Sequence, residues 1–115
     1  CDDAGIAKAA QQFEGSPLAV AVIEVTKPSD KIPALEMTYS AGAACLSLLN
    51  AALAAGWGAN WLTGWVAHDR AFANAALHLA DNERIAGFVH IGTESAAPPE
   101  RPRPDLDRIV TWLSE

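Results

Sequence analysis

The feature that most restricts the fold is an apolar run, SAGAACLSLLNAALAAG, between Ser40 and Gly56. Its apolar residues cover most of the circumference of a helix, and such a helix must be buried nearly all round. Ser40 is suited to cap its start, and Gly56 to end it in a left-handed conformation. In a chain of 115 residues, one way to bury this helix is against a partner subunit. Its many alanines would let a second helix approach closely.

The segments around this helix alternate between strand-like and helix-like patterns. The run LAVAVIEVT, at 18–26, is rich in β-branched residues and suits a central strand covered on both faces. Helices are predicted at 3–14, 68–79 and 105–113, a short extended or turning segment at 58–64, and a second strand at 84–93. This order indicates an α/β or α+β domain.

Composition and charge exclude several function classes. Half of the residues are hydrophobic and 19% are charged, which is typical of a globular domain. The net charge of -6 argues against sequence-independent nucleic-acid binding and gives no attraction to an anionic membrane. No signal peptide or membrane span is visible, and the run at 41–56 is too short to cross a bilayer. Cys1 and Cys45 lack disulfide or metal-ligand spacing, so a reducing, cytoplasmic setting is expected.

The sequence contains few recognisable catalytic motifs. The sequence has no Gly-x-Ser-x-Gly, no Walker loop and no Gly-x-Gly-x-x-Gly. His68, His78 and His90 have no metal-ligand spacing, and each is expected to be structural or solvated. We therefore predict no catalytic side chain and no metal site. In an enzyme of this kind a cofactor carries the chemistry.

Four signals in order resemble the nitroreductase family. They are KIPALEMTYSAGAACLSLLNAALAAGWGANWLTGW, a helix, ERIAGFVHIGT and PERPRPDLDRIV, which together span roughly 17–113. The similarity is to the C-terminal part of the small, single-domain members that use FMN. It implies an α+β nitroreductase-like sandwich, with a central antiparallel or mixed sheet and flanking helices, and FMN at a homodimer interface. Residues 1–115 would be the C-terminal portion of one such domain.

The resemblance assigns the flavin turn to Trp61, Leu62, Thr63 and Gly64. In the family the matching turn lies against the isoalloxazine ring, and its backbone N–H groups approach the flavin N5 edge. Gly64 would permit that close approach, while Trp61 and Leu62 would exclude water. The alternative is a tryptophan-containing turn of the core without a ligand.

Two arginines of the proline-rich stretch match basic positions near the FMN phosphate. Arg101 and Arg103 suit this role because a guanidinium group presents a planar fork of donors. The alternative is a solvated tail. Glu36 matches an acidic position of the family, or it is a charge favoured at a helix start. Some members use the neighbourhood of 56–58 for the nicotinamide substrate.

The implied activity is electron transfer from NADH or NADPH, through FMN, to a nitro compound, a quinone or a similar acceptor. Family members also carry an N-terminal Arg-Arg-Ser-like segment that grips the FMN phosphate and ribityl chain. This sequence has none. We therefore expect a C-terminal fragment that binds FMN poorly. The alternative function is a non-catalytic α/β dimerisation domain, a degenerate or truncated flavin fold.

Overall fold

The computed structural model describes residues 2–114 as four α-helices, three strands and a 3-10 turn. In chain order they are α1 (Asp3–Glu14), β1 (Leu18–Val25), α2 (Ala34–Ala54), β2 (Gly58–Leu62), the 3-10 turn (Trp65–His68), α3 (Arg70–Leu77), β3 (Glu83–Gly92) and α4 (Leu106–Ile109). The predicted α+β class with an antiparallel sheet and flanking helices is confirmed.

The sheet has the strand order β1-β3-β2, and both pairings are antiparallel. The prediction that β1 is the central strand is wrong, because β3 lies in the middle of the described sheet. A register shift between Val22 and Ile23 leaves Ala86 of β3 without an opposing residue. This bulge lets Ile85 and Phe88 both contribute to one core cluster.

The two faces of the sheet are covered by different elements. On one face Phe88 packs edge-on against Phe13 of α1 and Phe72 of α3, with ring centroids 5.0 and 6.4 Å apart. On the other face α2 packs across all three strands. Cys45 of α2 and Val89 of β3 are both fully buried. The result is a three-layer arrangement, with α1 and α3 on one face of the sheet and α2 on the other.

Helix α2 starts seven residues earlier than predicted. Its N-cap is Pro33, so the assignment of Ser40 as N-cap is wrong. KIPALEMTYS contains no helix breaker after the proline, and Glu36 falls in the first turn, where the helix dipole favours a negative charge. The helix ends as expected: Ala55 is its C-cap, and Gly56 follows with a φ of 90°.

The predicted burial of α2 is not achieved within one chain. Only Cys45 and Ala52 of its 21 residues are buried, while Leu46 and Leu53 are 49% and 48% exposed. By length and composition alone, α2 could cross a bilayer, which corrects the expectation that this apolar segment is too short. Core helices of soluble proteins meet the same criterion, and α2 packs on the sheet along one side.

Two other helices are shorter than predicted. The segment at 68–79 is divided at Asp69, whose side chain accepts a 2.7 Å hydrogen bond from the Phe72 N–H and caps α3. His78 ends α3 in the left-handed region, with a φ of 54°. The final helix occupies only Leu106–Ile109, and residues 93–114 are exposed throughout.

Candidate functional site

A cleft of about 670 Å³ lies between α1 and the segment from Trp61 to Val66. All four residues assigned to the flavin turn line it. The opposite wall is α1, which contributes Lys8 and Gln12 among its lining residues. The structure therefore brings the predicted turn residues to a single concave surface with an apolar majority and a few polar groups, a common composition for ligand sites.

The backbone of Gly64 has a conformation that favours glycine. Its φ is 67° and its ψ is -177°, a combination that is strained for any residue with a side chain. Its N–H has no hydrogen-bond partner within the described residues. A methyl group added at this position would lie 3.8 Å from Gln12 Nε2 on the facing helix. Gly64 itself lines the cleft.

Trp61 contributes to the cleft from an unexpected orientation. Its indole lies over Gly87 of β3, so closely that a Cβ built on Gly87 would stand 2.0 Å from the indole nitrogen. The far edge of the ring reaches Gly42 of α2. The indole therefore belongs mainly to the face of the sheet that α2 covers. Leu62, the next residue, points to the other face, as alternation along a strand requires.

A second cavity, of about 430 Å³, adjoins β2 at Asn60, one residue before the first cleft begins at Trp61. Its walls include Ser16, His90, Glu94 and Arg101. Arg101, predicted to contact phosphate, is therefore in this second cavity and does not line the cleft of the flavin turn.

His90 is a buried histidine of β3 at the border of the second cavity. It is 8% exposed and borders the second cavity, and neither ring nitrogen has a hydrogen-bond partner in the described chain. Burial lowers the pKa of its imidazole, so the ring is neutral near pH 7. Phe13 covers it from α1, with the ring centroids 5.7 Å apart. The only signal in the sequence was the position of a polar residue within FVHIG.

Arg103 is placed differently from Arg101. Its Nε donates to Glu100 Oε1 at 2.8 Å, and both side chains are more than three-quarters exposed. An exposed ion pair of this kind contributes little to stability. The guanidinium of Arg103 is thus engaged at the surface, as the solvated-tail alternative for this residue describes.

A buried carboxylate links α2 to the sheet near the start of the helix. Glu24 of β1 is 4% exposed and accepts hydrogen bonds from Thr38 Oγ1 at 2.5 Å and from Arg84 Nε at 2.5 Å. The Arg84 and Thr38 hydrogen bonds hold the pKa of this carboxyl below its usual range. The sequence signal was a single glutamate in the apolar run of β1.

The remaining candidates for chemistry are metal-ligating side chains and the thiol of Cys45. Among residues 2–114 no three His, Cys, Asp or Glu side chains are grouped to hold a metal ion. Cys45 is fully buried, and burial raises the pKa of its thiol, which disfavours a reactive thiolate. Within residues 2–114 the structure thus offers two neighbouring cavities beside β2 and no group of three metal-ligating side chains.

Comparisons with known proteins agree with this description. The Escherichia coli K12 protein YdjA, which is assigned by its name to the NAD(P)H nitroreductases, is 30% identical over 113 residues. The match covers 97% of this chain and 61% of YdjA. The YdjA protein of Escherichia coli O157:H7 gives the same values. No family model matches the chain.

A solved structure supports the fold independently of the curated relatives. The nitroreductase-like family protein from Bacillus cereus has a TM-score of 0.79 with this chain and 20% sequence identity. The alignment covers 98% of this chain and 62% of the other. The predicted resemblance to the nitroreductase family and the nitroreductase-like fold are both confirmed. The chain spans about three fifths of the length of the proteins that it matches.

Proposed function

We propose that this nitroreductase-family chain is the C-terminal portion of a flavin oxidoreductase domain, which carries electrons from NAD(P)H to nitro compounds, quinones or similar acceptors. The observation that carries the proposal is the cleft between α1 and Trp61–Gly64, which all four predicted turn residues line. When bound, FMN would supply the acceptance of hydride and its onward transfer. The role of this chain is to bind and orient the flavin and to exclude water.

The residues present fit FMN in their chemistry. Leu62 and Trp65 give the cleft an apolar wall, and the Oε1 atom of Gln12 is buried without a partner in the described chain. Arg101, in the adjoining cavity, is the candidate for the phosphate. Arg103 would have to leave Glu100 before it could take part.

The proposed setting of the enzyme is a homodimer in the cytoplasm, without a membrane or nucleic-acid partner. Support comes from the exposed apolar face of α2 and from the acidic net charge of -6. The name of YdjA includes NAD(P)H, and this supports the proposed electron donor without choosing between NADH and NADPH.

The test is reconstitution of the purified chain with FMN, followed by absorption spectroscopy and by oxidation of NADH and NADPH with a quinone or a nitroarene. Weak uptake of added FMN, as expected from the sequence, and acceptor-dependent turnover at high FMN concentration are expected for the wild-type chain. Gly64→Ala should lose flavin affinity. Gly56→Ala is the matched control, because Gly56 also has a positive φ but does not line the cleft.

The second candidate function is a non-catalytic dimerisation domain. The position of Arg103 outside both cavities favours it, since this predicted phosphate ligand faces solvent. A colourless chain that takes up no added FMN, with the same result for Gly64→Ala and wild type, would support this alternative and contradict the enzyme.

A further inference from the structure

Strand β1 has the sequence of an interior strand but lies at an edge of the described sheet. Its eight residues include one charged side chain, Glu24, and that carboxylate is bonded to Thr38 and Arg84. Edge strands of soluble proteins are usually short, or they carry prolines or free charges that prevent further pairing. The strand at the other edge, β2, has only five residues. Since β1 has none of these protections, its sequence indicates a neighbour on both sides.

The outer edge of β1 has free capacity for pairing. Within residues 2–114, β1 pairs with β3 alone. In an antiparallel pair every second residue directs its N–H and C=O away from the neighbouring strand. The side chains show a matching deficit, because Val20 and Val22 are only partly buried whereas Phe88 and Val89 of β3 are buried. A further strand along this edge would pair the free backbone groups and complete the burial.

Two apolar grooves lie between β1 and α2, one towards each end of the strand. The groove of about 650 Å³ includes Leu18 and Leu48 in its lining, and the groove of about 480 Å³ includes Val22 and Ala44. Leu18 and Val22 alternate along β1 in step with Glu24, whose carboxylate bonds to α2, so they lie on the face that α2 covers. When a strand adds to a sheet edge, main-chain hydrogen bonds give affinity and such grooves select alternate side chains.

The dimer surface proposed on α2 does not cover this edge. Leu46 follows Met37 by nine residues and Leu53 follows Ala44 by nine, which is about two and a half helical turns. The two leucines therefore project from the side of α2 opposite to the grooves, and a second copy bound there leaves β1 open. The match with YdjA covers 61% of that protein. A domain of the same length has a further part outside this match that is long enough to supply a strand.

We propose that the outer edge of β1, with the two grooves beside it, is the docking surface for a fourth strand from the part of the domain outside residues 1–115. The chemistry of the surface requires an extended segment whose α2-facing side chains are apolar. No flavin takes part in this contact, so the inference is independent of the proposed oxidoreductase function.

Amide hydrogen exchange, followed by NMR, tests the edge in this chain and in intact YdjA. In this chain, alternate amides of β1 should exchange at least about tenfold faster than those paired with β3. In YdjA, the amides of the segment aligned with β1 should all be protected, because a fourth strand pairs with them. Fast exchange of alternate amides in that YdjA segment would overturn the inference. Protection of every β1 amide in this chain alone would also overturn it, since the edge would then be occupied without the rest of the domain.

A synthetic strand tests the grooves. The probe is the fluorescently labelled peptide KTVTVTVTK, whose valines share one face, and anisotropy measures its binding to the full chain. Saturable binding is expected, and the same peptide methylated on alternate backbone nitrogens should not bind, because those nitrogens cannot donate. Ala44→Phe, which fills one groove, should weaken binding by about tenfold. Ala43→Phe is the matched control, since Ala43 is exposed on α2 and lines neither groove.

Three results of the peptide experiment would overturn the inference. They are no binding to the wild-type chain at millimolar peptide, equal binding of the plain and methylated peptides, and equal binding by the Ala44→Phe and wild-type chains. None of them bears on flavin uptake, which the FMN titration measures separately.

Discussion

Trp61 has two roles that depend on different atoms of the same residue. Its backbone helps to line the cleft, while its indole lies over Gly87 and reaches Gly42 on α2. A side chain at Gly87 would occupy the volume of the indole ring. The position of the flavin turn is therefore coupled to the packing of α2 on the sheet through one aromatic side chain.

Replacing Gly87 tests this coupling. Gly87→Ala should lower the free energy of unfolding by about 1–3 kcal/mol, because Trp61 must move to admit the methyl group. The Trp61 contribution to fluorescence should change as well. Denaturant unfolding and emission spectra measure the two effects.

The matched control for that substitution is Gly42→Ala. Gly42 is helical, and a methyl group there would meet the indole at an ordinary 3.9 Å. We expect no loss of stability and a gain of up to about 1 kcal/mol, because alanine is the better helix former. Equal destabilisation by both substitutions would contradict the coupling.

His90 also makes stability depend on pH. Burial lowers the pKa of His90 in the folded chain. Between the ordinary histidine pKa of about 6.5 and that lower value, the imidazole is protonated in the unfolded chain but not in the folded chain. Stability should fall as the pH is lowered from the ordinary value towards the folded pKa. His90→Phe should remove this part of the decline. Unfolding curves at several pH values measure this decline. An unchanged decline in His90→Phe would contradict a lowered pKa of His90 in the folded chain.

At the scale of elements, Glu24 ties α2 to both β1 and β3. Its carboxylate joins Thr38 of the helix to Arg84 of the central strand. Because the folded pKa of Glu24 is lowered, its contribution is complete above the ordinary glutamate pKa of about 4.3. It is lost as the pH falls through the folded pKa. The start of α2 should therefore detach from the sheet first under acid conditions.

Glu24→Gln tests this link between elements. We expect a loss of about 1–2 kcal/mol at pH 7, the lower part of the range for charged hydrogen bonds, because Arg84 is 62% exposed. The variant should also lose less stability than wild type on acidification. Glu100→Gln, which breaks the exposed pair with Arg103, is the control and should change stability by less than about 0.5 kcal/mol. A loss of similar size in both variants would contradict a special role for Glu24.

Strands and helix ends were predicted well where the local sequence pattern was clear. The apolar strand run at β1 and the glycine after α2 were both informative, since each depends on neighbouring residues only. The start of α2 was missed because Pro33 and Glu36 compete with Ser40 as start signals. The order of the strands was missed because β1 and β3 are both largely apolar, and only pairing distinguishes a centre from an edge.

Only the part of the candidate site whose residues are adjacent in the sequence could be predicted. Trp61–Gly64 form a continuous segment, and they line one cleft. Arg101 and Arg103 are two residues apart, yet one lines a cavity and the other pairs with Glu100. His90 was assigned a structural or solvated role because its burial without a partner depends on α1, nearly 80 residues earlier. Such long-range packing leaves no local signature.

At the scale of the whole molecule, the described chain leaves much apolar surface uncovered. Its radius of gyration is 17.2 Å, whereas a compact chain of this length has about 13 Å. Large hydrophobic side chains are exposed on α2 and along the C-terminal segment, where Trp112 and Leu113 are about nine-tenths exposed. Exposed apolar side chains in such number are typical of a surface that is covered in the assembled protein. Association with a second copy would cover it.

The dimer can be tested on α2 without disturbing either cavity. Light scattering after size exclusion should give twice the 12.1 kDa of one chain. Leu46→Glu should shift the mass to that of a monomer, because it places a charge at a side chain that is half exposed in one chain and buried in the proposed dimer. Asn74→Glu adds the same charge on the exposed side of α3, away from this surface, and should leave the mass unchanged. A monomeric wild-type chain at high concentration, or equal masses for Leu46→Glu and wild type, would contradict α2 as the dimer seam.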